Sequence, residues 1–132
     1  MNYYLDTNIC IYFLKGIYPA LLTKMLMFNP SNIKIPAVVK AELFYGAEKS
    51  ARREQNLGKI NAFLSPFEIV PFDDSATAHY GIIRSALEKA GTPIGPNDMF
   101  IAATVLSGGG ILVTNNTDEF GRVPAIRMEN WV

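Results

Sequence analysis

The chain has 132 residues, which suits one domain and leaves no room for two of ordinary size. Twelve Lys and Arg balance twelve Asp and Glu, and 49% of the residues are hydrophobic, which excludes a disordered or strongly acidic chain. One cysteine and one histidine exclude an intramolecular disulfide, a structural zinc site and acid–base catalysis by a histidine pair. With no apolar run of about 18 residues and no basic leader, we expect a single domain, residues 1–132, in the cytoplasm and not in a membrane.

The charges are distributed unevenly along the chain. Residues 1–59 carry eight Lys or Arg and four acids, whereas residues 60–132 carry four Lys or Arg and eight acids. The basic first half suits a polyanionic partner, and acids drawn from both halves suit a cation site. An ordinary mixed, solvated surface accounts for the same counts, so charge alone leaves both interpretations open.

Short apolar segments alternate with helical segments along the chain, and Gly and Pro separate them. The predicted strands are residues 3–5, 33–35, 68–71, 111–114 and 125–128. The predicted helices are residues 7–14, 20–28, 36–50, 52–64, 74–90 and 96–106. The strands are short and mostly apolar, without a regular alternation of apolar and polar residues, which is typical of a parallel sheet with helices on both faces. The sequence therefore predicts an α/β fold.

Polar residues follow two of the predicted strands. Asp6 comes directly after the first strand, and Thr114, Asn115 and Asn116 end or follow the strand at 111–114. Ligands of parallel α/β sheets bind beyond the carboxyl ends of the strands, so these side chains are candidates for a site. Asp6 suits the N-cap of the following helix equally well, and an Asn-rich segment also suits a polar turn.

Two further acids lie on the apolar side of predicted helices. In the helix at 36–50, Glu42 lies three residues after Val39, on the same stripe. A carboxylate there needs a cation or donors, so Glu42 either pairs with a Lys or Arg or contributes to a site. Asp98 extends the apolar stripe of the helix at 96–106 toward its start, where the helix dipole also favours an acid.

Asp6, Glu42 and Asp98 thus come from separate parts of the chain, and each is predicted to lie at the edge of the core. Like charges in one pocket repel one another or become protonated. A hard divalent cation such as Mg²⁺ or Mn²⁺, bound through oxygen ligands and water, removes that conflict and suits phosphate chemistry. The spacing leaves open whether one ion or two is bound.

Four blocks of sequence carry a resemblance. They are Leu-Asp-Thr-Asn-Ile at 5–9, Ala-Glu-Leu-Phe-Tyr-Gly-Ala-Glu-Lys-Ser at 41–50, Ile-Gly-Pro-Asn-Asp-Met-Phe-Ile-Ala-Ala at 94–103, and Leu-Val-Thr-Asn-Asn-Thr-Asp-Glu-Phe at 112–120. In their order and spacing they resemble the PIN-domain family and, more narrowly, the VapC ribonuclease toxins of bacterial toxin–antitoxin operons. The similarity runs the whole length of the chain, to the closing Arg-Met-Glu-Asn-Trp at 127–131.

The resemblance implies a three-layer α/β/α sandwich and Mg²⁺- or Mn²⁺-dependent cleavage of RNA by metal-activated water. It implies that Asp6 and Asp98 are the principal metal ligands. Glu42 matches the third acid, which orients or deprotonates the water. Thr7 matches a small hydroxyl residue that supports Asp6.

The resemblance is incomplete at Asn116, because many PIN domains have a further acid near this position. The Asn116 amide offers a carbonyl oxygen in its place, beside the supporting hydroxyl of Thr114. A second metal ion then depends on whether Asp118 reaches the site.

The resemblance also implies an RNA substrate and protein partners. We expect a structured RNA such as a tRNA, with the anticodon loop of initiator tRNA as the favoured target, and a cognate antitoxin. Lys49, Arg52 and Arg53 are candidates for contacts with RNA phosphates, although a solvated helix end explains them equally well. The helical segments 9–14 and 21–28 are apolar on more sides than one core covers, which predicts a homodimer and an apolar groove for the antitoxin.

Two other interpretations are open from the sequence. A phospho-receiver signalling domain is also α/β and has acids at strand ends, but it requires a Lys at the end of a late strand, and none is present here. A catalytically impaired PIN-like scaffold is the second, and Asn116 is the residue that favours it.

Overall fold

The computed structural model describes residues 1–132, and its centre is one sheet of five parallel strands. The strands are β1 (Tyr3–Leu5), β2 (Ile33–Pro36), β3 (Glu68–Val70), β4 (Ile111–Val113) and β5 (Met128–Glu129). Their order across the sheet is β3-β2-β1-β4-β5, with every neighbouring pair parallel. Receiver domains have the order 2-1-3-4-5. The topology therefore excludes the phospho-receiver interpretation.

Seven helices flank the sheet, which confirms the predicted α/β sandwich. They are α1 (Thr7–Lys15), α2 (Pro19–Leu26), α3 (Ala37–Glu48), α4 (Arg53–Leu64), α5 (Asp74–Ala90), α6 (Pro96–Gly108) and α7 (Thr117–Phe120). A membrane span would need more length and apolarity than any one helix has; α1 and α2 reach the threshold only as a pair, with a bend of 108° between them.

The core explains why most residues of the strands are apolar. Leu5, Ile35, Leu112 and Val113 are completely buried, because helices cover both faces of the sheet. Twenty-seven buried residues form one contiguous cluster around these strands. The apolar pattern of the sequence is therefore a pattern of burial on two sides.

The structure differs from the sequence-based prediction at the ends of some strands and helices and in one turn. The last strand begins at Met128 and not at 125, because Ala125 has a φ of 64°, in the left-handed region where a strand cannot continue. The short helix α7 was not predicted. Pro36 ends β2 and caps α3 instead of opening the helix, and α3 ends at Glu48.

The reversal of strand order between β1 and β4 creates the crevice in which parallel sheets bind ligands. β1 runs beside β4 with Leu5 opposite Val113, and the backbone N–H of Asp6 donates to the Val113 carbonyl at 3.1 Å. The polar residues that follow these two strands consequently lie at the same edge.

Candidate active site

Asp6 is at the centre of this edge and is 4% exposed. One carboxylate oxygen, Oδ1, accepts from the backbone N–H of Ile9 at 2.9 Å and caps α1. The other, Oδ2, accepts from the hydroxyl of Thr114 at 2.5 Å. Burial raises the pKa of Asp6 and the nearby charge of Glu42 adds to it, while these two hydrogen bonds oppose the rise. Asp6 is therefore both a helix cap and a buried carboxylate held in a fixed orientation.

Glu42 reaches the same place from α3. It is half-buried, and its Oε1 accepts from the hydroxyl of Thr7 at 2.7 Å. No Lys or Arg forms an ion pair with Glu42, so the alternative of a buried pair is wrong. The expectation for Thr7 is also corrected. Thr7 is the first residue of α1 and its side chain turns toward α3, so Thr7 supports Glu42, while Thr114 supports Asp6.

Asp98 and Glu119 form a coupled pair. Asp98 is the third residue of α6, and its pKa is raised to about 7 by burial first and then by the charges of Glu119, Glu42 and Asp6. Glu119 has a lowered pKa, because its Oε1 accepts from the backbone N–H of Gly95 at 3.0 Å and its other oxygen accepts from an amide. Of these two carboxyl groups, Asp98 therefore binds a proton more tightly than Glu119 does.

The amide that binds Glu119 belongs to Asn116. Its Nδ2 donates to Glu119 Oε2 at 2.5 Å, and its backbone N–H donates to Thr114 Oγ1 at 2.9 Å. Asp118, which the sequence suggested as the extra acid, is exposed and does not line the site. The additional acid that lines the site is Glu119. Its signal in the sequence is the spacing Asn-x-x-Glu at 116–119, which is typical of a helix start whose third residue turns back toward the cap.

These side chains surround one cavity of about 290 Å³, which we call the carboxylate cavity. Its lining residues are Asp6, Thr7, Asn8, Glu42, Asp98, Asn116, Glu119 and Phe120. The lining contains four carboxylates and no Lys, Arg or His, so nothing in it neutralises their charge.

The donor set of the carboxylate cavity fits a hard divalent cation. Carboxylate and amide oxygens are the ligands that Mg²⁺ and Mn²⁺ prefer. Burial and the neighbouring carboxylates raise the pKa of Asp98, and a cation bound nearby would offset both effects. No three of the carboxylates close on a single point in this arrangement. That geometry suits Mg²⁺, which is usually held by one or two carboxylates and keeps several of its waters.

The basic residues proposed for RNA contacts lie outside the carboxylate cavity, at the junction of α3 and α4. Arg53 binds the carboxylate of Glu48 at 2.6 and 2.9 Å and also pairs with Glu54, and its side chain is exposed. Arg52 is exposed, and Lys49 places its Nζ 4.8 Å from the centre of the Tyr45 ring.

A second cavity of about 620 Å³, which we call the helical groove, adjoins the site between α1, α3 and α4. Lys15 and Lys59, which the sequence interpretation did not single out, line it together with Glu42. Five of its ten lining residues are hydrophobic, so the groove is apolar with two cations in its wall. It meets the carboxylate cavity at Glu42.

Comparison with known proteins agrees with the fold. The family model of the PIN domain matches residues 3–126. The chain is 41% identical over 131 residues to the tRNA(fMet)-specific endonuclease VapC of Salmonella typhimurium, covering 99% of this chain and 98% of that protein. It is 44% identical over 132 residues to Ribonuclease VapC2 of Haemophilus influenzae, covering 100% and 99%.

Solved structures agree as well. The crystal structure of VapBC2 from Rickettsia felis, bound to a DNA fragment from their promoter, matches with a TM-score of 0.95 at 41% identity, covering 100% of both chains. The DNA-bound VapBC of Salmonella typhimurium matches with a TM-score of 0.95 at 40% identity, covering 100% of this chain and 99% of that one. The chain therefore belongs to the PIN domain family, within its VapC ribonucleases.

Proposed function

We propose that this protein is a Mg²⁺- or Mn²⁺-dependent endoribonuclease and the toxin of a toxin–antitoxin pair. The observation that carries the proposal is the carboxylate cavity, which Asp6, Glu42, Asp98 and Glu119 line without a basic side chain. A scaffold that only binds partners has no need for four carboxylates in one cavity, where burial and the neighbouring charges raise the pKa of Asp6 and of Asp98. Asn116, which favoured the impaired scaffold, orients the fourth acid instead of replacing it.

Each side chain has a distinct part in the proposed reaction. Asp6 and Asp98 would hold the cation. Glu119 positions Asp98, and hydrogen bonds from Gly95 and Asn116 fix the carboxylate of Glu119. A bound divalent cation supplies positive charge for the scissile phosphate and lowers the pKa of water.

Glu42 acts as the base. Because the Thr7 hydroxyl occupies Oε1, the other carboxylate oxygen of Glu42 is left to accept a proton from the attacking water. The water oxygen bonds to phosphorus as the bond from phosphorus to the 3′ oxygen breaks. The products are a 5′-phosphate and a 3′-hydroxyl.

We further propose a tRNA substrate, with the anticodon loop of initiator tRNA as the preferred target. The support comes from the name of the Salmonella relative, which specifies tRNA(fMet) and is 41% identical over nearly the whole chain. We also propose a cytoplasmic location, because tRNA is found there. Residues close to Glu42, including Lys15 and Lys59 in the helical groove, are better placed for the RNA backbone than Arg53.

The partner is proposed to be an antitoxin that docks in the helical groove. The similar solved structures are VapBC complexes, and the groove adjoins Glu42, so a peptide lying in it would reach the site. The helix that follows α1, α2, exposes Leu22 and Leu26, which are 48% and 76% exposed. An apolar face of this kind fits burial against a second chain, and we propose that it serves the antitoxin and a homodimer.

The test is cleavage of purified initiator tRNA followed by mapping of the new 5′ ends. We expect cleavage in Mg²⁺ or Mn²⁺, none in EDTA, and none with Asp98→Asn. Asp118→Asn is the matched control, because this neighbouring acid is exposed and lies outside the carboxylate cavity. Undiminished cleavage in EDTA would overturn the metal mechanism, and intact RNA under every condition would favour the binding scaffold.

A further inference from the structure

An apolar recess beside the carboxylate cavity is not used by the chemistry described above. It has a volume of about 550 Å³ and is walled by Val38, Tyr45, Phe72 and Phe100, with Asn97 and Glu42 at its edge. We call it the aromatic recess. We propose that it is a nucleobase subsite, in which a base next to the cleaved bond stacks on Tyr45 and presents its edge to Asn97. The proposal rests on the proposed ribonuclease function.

The walls of the aromatic recess are built to hold a flat ring. Phe72 and Phe100 meet edge to face, with centroids 5.0 Å apart and planes at 86°. Phe100 is also stacked on Tyr80, with centroids 4.7 Å apart and planes at 15°. These contacts fix Phe72 and Phe100 before any ligand arrives, so the ligand does not have to order them. A volume of this size lies in the range of small-molecule sites.

Tyr45 is the exposed member of the wall. Its side chain is 66% exposed although it is large and aromatic, and it lies three residues after Glu42 on the same side of α3. The Nζ of Lys49 lies 4.8 Å from its ring centre. Because Lys49 covers one face of the ring, a base would stack on the opposite face, with the Lys49 cation available for a phosphate.

Continuity with the active site selects a base over a second protein chain. Glu42 lines both the carboxylate cavity and the aromatic recess, and Asn97 directly precedes Asp98. A phosphodiester bound in the carboxylate cavity therefore brings an adjacent base to the mouth of the recess. A second copy of the chain seated there would cover Glu42, the group that must remain open to the RNA. The exposed amide of Asn97 can both donate to and accept from a base edge.

The first experiment measures binding without cleavage. A fluorescent RNA hairpin with the initiator-tRNA anticodon sequence is titrated with the full-length protein in EDTA, and Kd is read by anisotropy. Base–aromatic stacking predicts that Tyr45→Ala weakens binding about tenfold. Tyr45→Phe keeps the ring and is expected to stay within about twofold of wild type. Tyr18→Ala removes another exposed tyrosine, far along the chain in the turn before α2, and is expected to have no effect.

The second experiment tests whether Tyr45 contacts a base. Each loop nucleotide of the hairpin is replaced in turn by an abasic one, and Kd is measured for wild type and for Tyr45→Ala. One abasic position is expected to weaken wild type about tenfold and to leave Tyr45→Ala unchanged, because the same contact is already lost. Equal losses in both proteins at every position would overturn the subsite.

Three other outcomes are decisive. If Tyr45→Ala binds the hairpin as wild type does but sediments with a lower mass, the aromatic recess is an interface between copies and the subsite is wrong. If the abasic coupling is present while Mn²⁺ produces no cleavage, the subsite stands and the proposed catalysis fails. If cleavage proceeds without any coupling, only the subsite falls.

Discussion

The hydroxyl of Thr114 and the carboxylate of Asp6 are 108 residues apart in the sequence and are joined by a buried hydrogen bond. Thr114 directly follows β4 and Asp6 directly follows β1, so this hydrogen bond links the two strands that flank the crevice. Thr114 also accepts from the backbone N–H of Asn116, which starts the turn that carries Glu119. One hydroxyl therefore connects the first and the fourth carboxylate of the cavity.

Thr114→Val is expected to destabilise the fold, because it leaves a buried carboxylate oxygen of Asp6 without its donor. Loss of such a partner costs about 1–3 kcal/mol in the free energy of unfolding. Thr114→Ser keeps the hydroxyl and is expected to recover most of that loss. Urea denaturation at pH 7 measures the free energy of unfolding of both variants. Equal values for Thr114→Val and wild type would show that this hydrogen bond contributes nothing to stability.

Asp98→Asn is expected to stabilise the metal-free protein at high pH. The pKa of Asp98 is about 7 in the folded protein against an ordinary value of 3.8, so the folded state binds the proton more tightly. This protonation contributes fully to the free energy of unfolding below the ordinary pKa, and the contribution is lost as the pH rises through about 7. In EDTA, the Tm of Asp98→Asn relative to that of wild type should therefore increase between pH 5 and pH 8. A Tm difference independent of pH would contradict the raised pKa.

Divalent cation is expected to stabilise wild type more than Asp98→Asn. Binding at about 100 times the dissociation constant stabilises the folded state by about 2.7 kcal/mol, or roughly 10 °C in Tm for a domain of this size. The variant lacks one proposed ligand and should gain much less from the same Mn²⁺ concentration. Asp118→Asn serves as control and should gain as much as wild type. An equal shift in Asp98→Asn would remove Asp98 as a ligand.

Asn116→Asp replaces the amide that donates to Glu119 by a second carboxylate. In EDTA at pH 8 the two negative charges face each other, and we expect a loss of about 1–3 kcal/mol in unfolding free energy. Mn²⁺ should restore most of this loss, because the cation has gained an oxygen ligand. Asn115→Asp is the control, since its side-chain oxygen only accepts a hydrogen bond, from Asn130. Unchanged stability of Asn116→Asp in EDTA would show that the amide does not hold Glu119.

Gly110→Ala tests the turn that leads into β4. A Cβ at this position would collide with the Tyr4 ring and would lie 2.8 Å from the carbonyl oxygen of Asn2. We expect a destabilisation of about 1–3 kcal/mol, typical of overpacking. Gly81→Ala is the matched control, because nothing lies within 4 Å of its Cβ in the middle of α5, and it should stabilise the protein by about 0.5–1 kcal/mol. Thermal denaturation compares the two.

The sequence placed Asp6, Glu42 and Asp98 correctly because their positions follow from local rules. A residue directly after a buried strand lies at the sheet edge, and an acid on an apolar helical stripe faces inward. The same rules predicted the parallel sheet, because Leu5, Ile35 and Leu112 belong to short, mostly apolar segments. These features depend on periodicity, which the sequence displays directly.

Other parts of the site depend on contacts between distant segments. Glu119 turns into the cavity because the backbone of Gly95, 24 residues away, donates to it, and a four-residue helix carries too little periodicity to show this. Thr7 supports Glu42 and not its neighbour Asp6 because α3 passes beside α1. Arg53 is bound by Glu48 through a turn whose shape the sequence did not indicate. Such pairings are set by tertiary packing.

The 108-residue separation of Asp6 and Thr114 has a consequence for the synthesis of the protein. On the ribosome Asp6 emerges early, whereas β4 and the turn bearing Glu119 are among the last segments to be translated. The central strand β1 waits for β4 as its neighbour, and until then the four carboxylates have no common cavity. The carboxylate cavity, and any chemistry that depends on it, is therefore assembled only after β4 and the turn that carries Glu119 have been added to the fold.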